Sequence, residues 1–328
     1  MELLEPHLKF SPSGVLTPSD WGLILAEGPD AGAFLQGQLT NDVLLLPTGQ
    51  SRLSGYCSAK GRLLASFIVL KLSSDKFLLV CHKDLIEATV KRLSMFVLRA
   101  KVKLSQASSE YLVHGYLGQA AIDCCPALID AVPWHVSQQA DTHFIQLHPA
   151  KTATGTLARV LQISLQNTAD SAAFKQDSAP AISNEDWQLA EVLSGISMIQ
   201  TATAEAFVPQ MLNYESVEGV SFKKGCYPGQ EVVARSQFRG TLKRRAFLVS
   251  CKEPMHVGQE IYSSDDPEQS CGLVSSAAQF ESPDQLQSQW WGIASLQISA
   301  IQNSLQLGQS GGPNMQTHAL PYPLLEDI

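Results

Sequence analysis

The chain holds seven cysteines, and one of them sits where a thiol could be put to use. Cys226 lies in Ser221–Arg235, SFKKGCYPGQEVVAR, after Lys223 and Lys224 and between Gly225 and Gly229. Those glycines permit backbone conformations that side chains forbid. Pro228 suits a tight turn or a helix start, and Val232, Val233, Ala234 and Arg235 read as a short helix after it. Cys226 then stands just before a helix N-terminus with two lysines at hand. Both features favour a thiolate, so the stretch predicts a reactive thiol. A lone cysteine is more often a small buried hydrophobe, but an inert core thiol needs neither the glycines nor the lysines.

A second candidate lies on a helix. Ser183 and Asp186 have the spacing of a capping box, and the helix they open runs to about Ser194, with Gly195 as its stop. At about 100° per residue, Leu189, Val192, Leu193 and Ile196 form one stripe, and Trp187 falls on the opposite side with Glu191 one turn on. That indole is predicted either to pack on a neighbouring unit or to stack on a flat ligand. Trp21, read alone, is an ordinary core or strand-edge tryptophan. The sequence contains no GxGxxG, Walker loop, HExxH or CxxC. The histidines do not cluster at metal-ligand spacing, so no metal site is expected.

Lys224, Gly225, Cys226, Tyr227, Pro228, Gly229, Gln230 and Glu231 resemble the K-G-C-Y-x-G-Q-E signature of the YgfZ-type folate-binding, tRNA-modifying proteins. These are relatives of the aminomethyltransferase (T-protein) of the glycine cleavage system. WGLILAEGPDAGAFLQGQLTNDV, YCSAKGRLLA, AFVPQMLN and ALPYPLLE resemble family blocks in family order, so the resemblance covers essentially the whole chain. It implies an α+β, T-protein-like fold: two mixed antiparallel-sheet and helix units around a central funnel, and a C-terminal β-barrel. It implies tetrahydrofolate or a folate derivative as the cofactor, with Trp21 and Trp187 lining its site; Glu191 and Arg235 are read as further cofactor contacts. It implies a functional thiol at Cys226, surrounded by Lys224, Tyr227, Gln230 and Glu231. Two departures stand out. Leu193 occupies the position of the family's pterin-binding glutamate. Ala65 and Ser66 stand where the transferases carry the aspartate that positions folate for one-carbon transfer. The resemblance therefore implies a folate-binding accessory protein for iron–sulfur cluster assembly or repair, and through it tRNA thiolation, with Cys226 as redox thiol or transient cluster ligand. The alternatives are a folate-dependent aminomethyl transferase and direct tRNA binding.

Around these residues the chain reads as three units: residues 1–106, residues 107–240 with the folate helix and the KGCYPGQE motif, and a barrel over residues 241–328. A loose lead-in over residues 1–20 precedes a strand from Trp21 to Gly28 and a helix through about Thr40. Two strands flank a Lys60–Gly61 hairpin, and a strand over Lys76–Val80, a helix over Asp84–Phe96 and a strand over Lys101–Leu104 close the unit. The order returns as strands at Tyr111–Tyr116, Thr142–Leu147 and Arg159–Leu165, with helices at Ala120–Ala131 and Ala169–Gln176. Strands over Arg245–Cys251, Glu260–Ser263, Gly272–Ala278 and Trp291–Ala300 suggest the barrel. The Gly/Gln/Ser-rich Gln302–Gln316 is expected to be a loop.

The odd cysteine count with no paired spacing, and an N-terminus with no apolar signal-peptide core, predict a reducing cytoplasm. No apolar run is long enough to span a membrane. The net charge of −8 argues against broad nucleic-acid binding. Residues 223–245 run against it, with seven Lys/Arg to one acid, a balance of +6 that leaves −14 for the rest. This island is expected to be a solvated face, or else a site for a polyglutamate tail or RNA phosphate.

Overall fold

The computed structural model describes residues 3, 5, 6, 8–166, 179–239, 242–281 and 288–325. The first unit contains β1 (Gly14–Leu16), β2 (Trp21–Glu27), α1 (Ala31–Gln36), β3 (Ser51–Cys57), β4 (Leu63–Lys71), β5 (Lys76–His82), α2 (Ile86–Ser94) and β6 (Lys103–Gln106). Its sheet runs β3-β4-β5-β2-β6, antiparallel throughout. β4 and β5 are near-continuous apolar runs, and their interiors are buried on both faces, as a sheet covered on each side requires. α2 buries Ile86, Thr89 and Leu93, one face of a helix.

The second unit continues with β7 (Tyr111–Leu117), α3 (Gln119–Cys124), β8 (Val136–Gln139), β9 (Thr142–Gln146), β10 (Ala150–Thr152), β11 (Gly155–Leu157), β12 (Arg159–Leu165), α4 (Asn184–Leu193) and α5 (Gln230–Phe238). Its sheet runs β1-β7-β12-β9-β8, again antiparallel. The third unit is a closed barrel of β13 (Arg244–Cys251), β14 (Glu260–Ser263), β15 (Asp266–Glu281), β16 (Ser288–Gln297), β17 (Leu305–Leu307) and β18 (Asn314–His318).

The α+β architecture with a C-terminal barrel is as expected. Four local expectations are corrected. The lead-in is structured: β1 pairs with β7, so residues 14–16 belong to the second sheet, while Leu8 and Phe10 are buried. The expected loop Gln302–Gln316 supplies β17 and most of β18, the two strands that close the barrel; turn-forming residues between them masked their short runs. The helix expected to reach Thr40 stops at Gln36, with Gly37 as its cap. The one expected to reach Ala131 stops at Cys124, because Pro126 cannot continue the hydrogen-bond ladder. The helix predicted over Ala169–Gln176 lies outside the described residues. One apolar core joins the three units: Leu25 and Val80 of the first sheet, Leu161 of the second, Leu189 of α4 and Trp291 of the barrel share it.

Candidate functional site

Cys226 is exposed on a loop in which Lys224 and Tyr227 on either side of it are buried. The Lys224 ammonium turns inward, is 7% exposed, and donates to the Gln36 and Leu39 carbonyls at the C-terminal end of α1. It also lies 4.9 Å from the Tyr227 ring centroid. Burial lowers its pKa to about 8, against opposing pulls from Asp42 and Cys226. Tyr227 is buried, and its carbonyl accepts from Gln230 N at 3.2 Å. Gly229 has φ +79, and a Cβ there would lie 2.4 Å from the Ser58 carbonyl oxygen and 2.5 Å from Gly61 Cα. The two glycines let the loop sit directly on the β3–β4 turn, and α5 starts from that contact. Gln230 is half-buried, while Glu231 and Arg235 on α5 are exposed. The loop thus holds one thiol out into solvent at the N-terminal side of a short helix.

The second site lies between the units. Trp21 begins β2, pairs across the sheet with His82, and is half-buried. Glu191 comes from α4, whose N-terminus carries the expected capping box: Asp186 N donates to Ser183 Oγ at 3.0 Å and Ser183 N to Asp186 Oδ2 at 3.3 Å. Trp21, Glu191, Ile196 and Met198 line two adjoining chambers. The larger, of about 230 Å³, also meets Asp20, His82, Gln188 and Gln200. The smaller, of about 20 Å³, reaches Trp134, His148 and Arg159.

Arg159 is 3% exposed, approaches Glu191 Oε1 through Nη2 at 3.7 Å and donates from Nη1 to the His148 carbonyl at 3.2 Å. Its Nε is buried without an acceptor. An unmet donor beside a cavity marks room for a polar ligand atom or a water. Burial pushes the Glu191 carboxyl up to about 7, while Arg159 and the nearby indole N–H groups of Trp187 and Trp21 oppose the rise. The Trp187 N–H makes no hydrogen bond of good geometry. Burial, aided by Arg159, holds His148 down to about 4, so its imidazole is neutral near pH 7.

The sequence left Trp187 between packing on a neighbouring unit and stacking on a ligand, and the structure packs it. Its indole is 1% exposed and lines neither chamber. A Cβ on Gly115 would come within 2.5 Å of its ring, the Arg159 guanidinium covers it at 5.0 Å, and Trp21 meets it edge-on at 6.2 Å. As the helical wheel allows, α4 is covered on more than one side: β7 and the barrel strands β15 and β16 all pack on it, and Trp187 is buried along with the Leu189, Val192 and Leu193 stripe. Of the two indoles named from the sequence, Trp21 is the one that lines the chambers. Glu191 lines them too, and Leu193 is 0% exposed in the core. Neither Cys226 nor Arg235 lines either chamber. Ser66 is a strut, its Oγ accepting from Ile199 N at 2.8 Å. Arg159, His148, Trp134 and His82 escaped the sequence reading because they are scattered over four strands or loops and share no spacing. Among the described residues, no group of three or more His, Cys, Asp or Glu could hold a metal ion.

The family model for the GCVT N-terminal domain matches residues 12–165. The tRNA-modifying protein YgfZ of Klebsiella pneumoniae (strain 342) is 31% identical over 244 residues, 73% of this chain and 72% of that protein. The chain belongs to the YgfZ family. The YgfZ protein of Photorhabdus laumondii is 27% identical over 321 residues, covering 96% of this chain and 94% of its own. The crystal structure of the glycine cleavage system aminomethyltransferase T from Bartonella henselae superposes with a TM-score of 0.64 at 16% identity, over 97% of this chain and 88% of that one. The YgfZ-family chain therefore has the T-protein-like fold.

Proposed function

We propose that this chain binds a reduced folate in the chambers beside Trp21 and Glu191 and supports tRNA modification, through iron–sulfur enzymes, by means of Cys226. The observation that carries the folate half is a carboxyl at Glu191 and an indole face at Trp21 opening on one cavity, next to an unmet Arg159 donor. A pterin offers what those groups lack. Its N–H and amino edge donates to a carboxylate, its flat ring packs on an indole, and its carbonyl accepts from a guanidinium. The tRNA half rests on the relatives named tRNA-modifying protein YgfZ.

Cys226 is a lone exposed thiol. It suits a transient, shared bond to a cluster or partner thiol handed across a surface, in a reducing cytoplasm. Direct tRNA binding is the weaker reading. Of the seven cations in the basic island, Lys224 and Arg245 are buried with partners, and Arg244 donates to the Cys271 carbonyl at 2.9 Å. Lys223, Arg235, Arg239 and Lys243 remain exposed. Aminomethyl transfer is weakened by the absence of a carboxylate at Ala65 and Ser66.

The test has two arms. Tetrahydrofolate titrated against the protein is expected to quench tryptophan fluorescence, with affinity reduced by 1–3 kcal/mol in Trp21→Ala, on the scale of base–aromatic stacking. Cys226→Ala in a strain lacking the wild-type copy is expected to lower tRNA thiolation while folate binding persists. Normal thiolation would remove Cys226 from the account, and no quenching would remove the folate.

A further inference from the structure

The larger chamber is lined by His82, which belongs to a pair that the folate reading does not use. His82 ends β5 and Asp84 follows two residues on. Their side chains meet at 2.6 Å between Nδ1 and Oδ1. Asp84 is itself fixed: its Oδ2 accepts from Thr201 N at 2.9 Å, and these hydrogen bonds hold its carboxyl below the usual range despite partial burial. An ionised Asp84 accepts a proton-bearing Nδ1, which leaves Nε2 of the neutral ring as an acceptor. This is the orientation by which a carboxylate prepares an imidazole to act as a base. His82 lines the chamber and is paired across the sheet with Trp21, so ring and imidazole come from adjacent strands.

The charges around the chamber are unequal. Asp20 and Glu191 line it and Asp84 backs His82. Against these three carboxylates stand two cations. Arg159 lies 3.7 Å from Glu191, and Lys83 lies 3.6 Å from Asp20. Glu191 is shared between its neutral and charged forms near pH 7, so a bound cation finds a carboxylate able to ionise against it.

We propose that the His82–Asp84 pair is a general base in this chamber and adds water to a cationic one-carbon folate, the methenyl form. The proposal rests on the folate reading. Water attacks the methenyl carbon, forming a C–O bond, while the C=N π pair returns to nitrogen and a water proton passes to His82 Nε2. One C–N bond then breaks with its electron pair on nitrogen, which takes that proton back from His82. The remaining hydroxyl proton goes to solvent. Methenyl cation and water become formyl-folate and one proton, with no oxidant or reductant needed. Asp84 holds the ring and stabilises the imidazolium between the two proton transfers.

The test follows the absorbance of methenyltetrahydrofolate on adding the full-length protein, with binding measured in parallel by tryptophan quenching. Wild-type protein is expected to accelerate loss of the methenyl cation above the buffer rate. H82Q and D84N are expected to lower that acceleration roughly 100-fold, within the usual range for a general base, with binding unchanged within a few-fold. H82Q should also lose the ascending limb of the pH–rate profile, which a purely structural role would leave in place. Binding at the buffer rate of hydration, or full acceleration by H82Q, overturns this proposal alone. No binding of any reduced folate overturns the folate reading and this proposal with it.

Discussion

Glu191 is the residue whose ionisation reports the cavity most directly. Its folded pKa, pushed up to about 7, exceeds the ordinary 4.5, so the folded protein holds a proton there that the unfolded chain gives up. Its contribution is therefore fully present below about 4.5 and is lost as pH rises through about 7. His148 works in the opposite direction over part of that window, because its pKa falls to about 4. A difference between variants separates the two: from pH 5 to pH 7, wild-type melting temperature should fall relative to that of Glu191→Gln, as calorimetry can show. Parallel curves would mean that the carboxyl is not perturbed. Cys226 makes a simpler prediction. It is exposed, whereas Cys57, Cys81, Cys125, Cys251 and Cys271 are buried and burial pushes the half-buried Cys124 up to about 12. Brief alkylation followed by peptide mass spectrometry should mark Cys226 first; earlier labelling of any other cysteine would contradict the loop geometry.

At the scale of elements, α4 and the Cys226 loop depend on small devices that the sequence displays openly. Ser183→Ala removes the acceptor for Asp186 N and should cost about 1 kcal/mol in chemical denaturation. Gly229→Ala must put a Cβ 2.4 Å from the Ser58 oxygen at a φ of +79, so it should cost more, of order 1–3 kcal/mol, and shift the Cys226 loop. A neutral result would mean that the loop does not rest on the β3–β4 turn. These features were legible because caps and positive-φ glycines are local: Ser183–Asp186, Gly195 and the Lys60–Gly61 turn all follow from neighbours in the chain. The choice between packing and stacking at Trp187 was not legible, since it depends on layers contributed by Gly115 and the barrel. Nor was the inward turn of Lys224, whose partners at Gln36 and Leu39 lie far back in the sequence. β17 was hidden for a related reason: a short strand among Gln, Ser and Gly has no periodicity of its own and is fixed by its neighbours in the barrel.

For the whole molecule, the question is what keeps the three units around one cavity. Part of the answer is the buried pair of Arg245 and Glu215 at 2.7 Å, with Arg245 Nη2 also donating to the Leu325 carbonyl at 2.9 Å. This joins the barrel, the segment ahead of the Cys226 loop and the C-terminal tail. Removing one partner leaves a buried charge, so Glu215→Ala should destabilise by roughly 3–5 kcal/mol. Calorimetry showing less than about 1 kcal/mol would mean that the clasp is dispensable. The shared core makes the same point: Trp291 and Ile293 of the barrel pack into one cluster with both sheets, so the residues lining the chambers are positioned by all three units.

The central claim is that a reduced folate occupies the chambers that Trp21 and Glu191 line. Equilibrium titration of tetrahydrofolate against wild-type protein, Trp21→Ala and Cys226→Ala tests it most directly. The account predicts saturable binding that Trp21→Ala weakens about tenfold or more and Cys226→Ala leaves unchanged. Equal binding by wild-type and Trp21→Ala protein, or none by either, would contradict it.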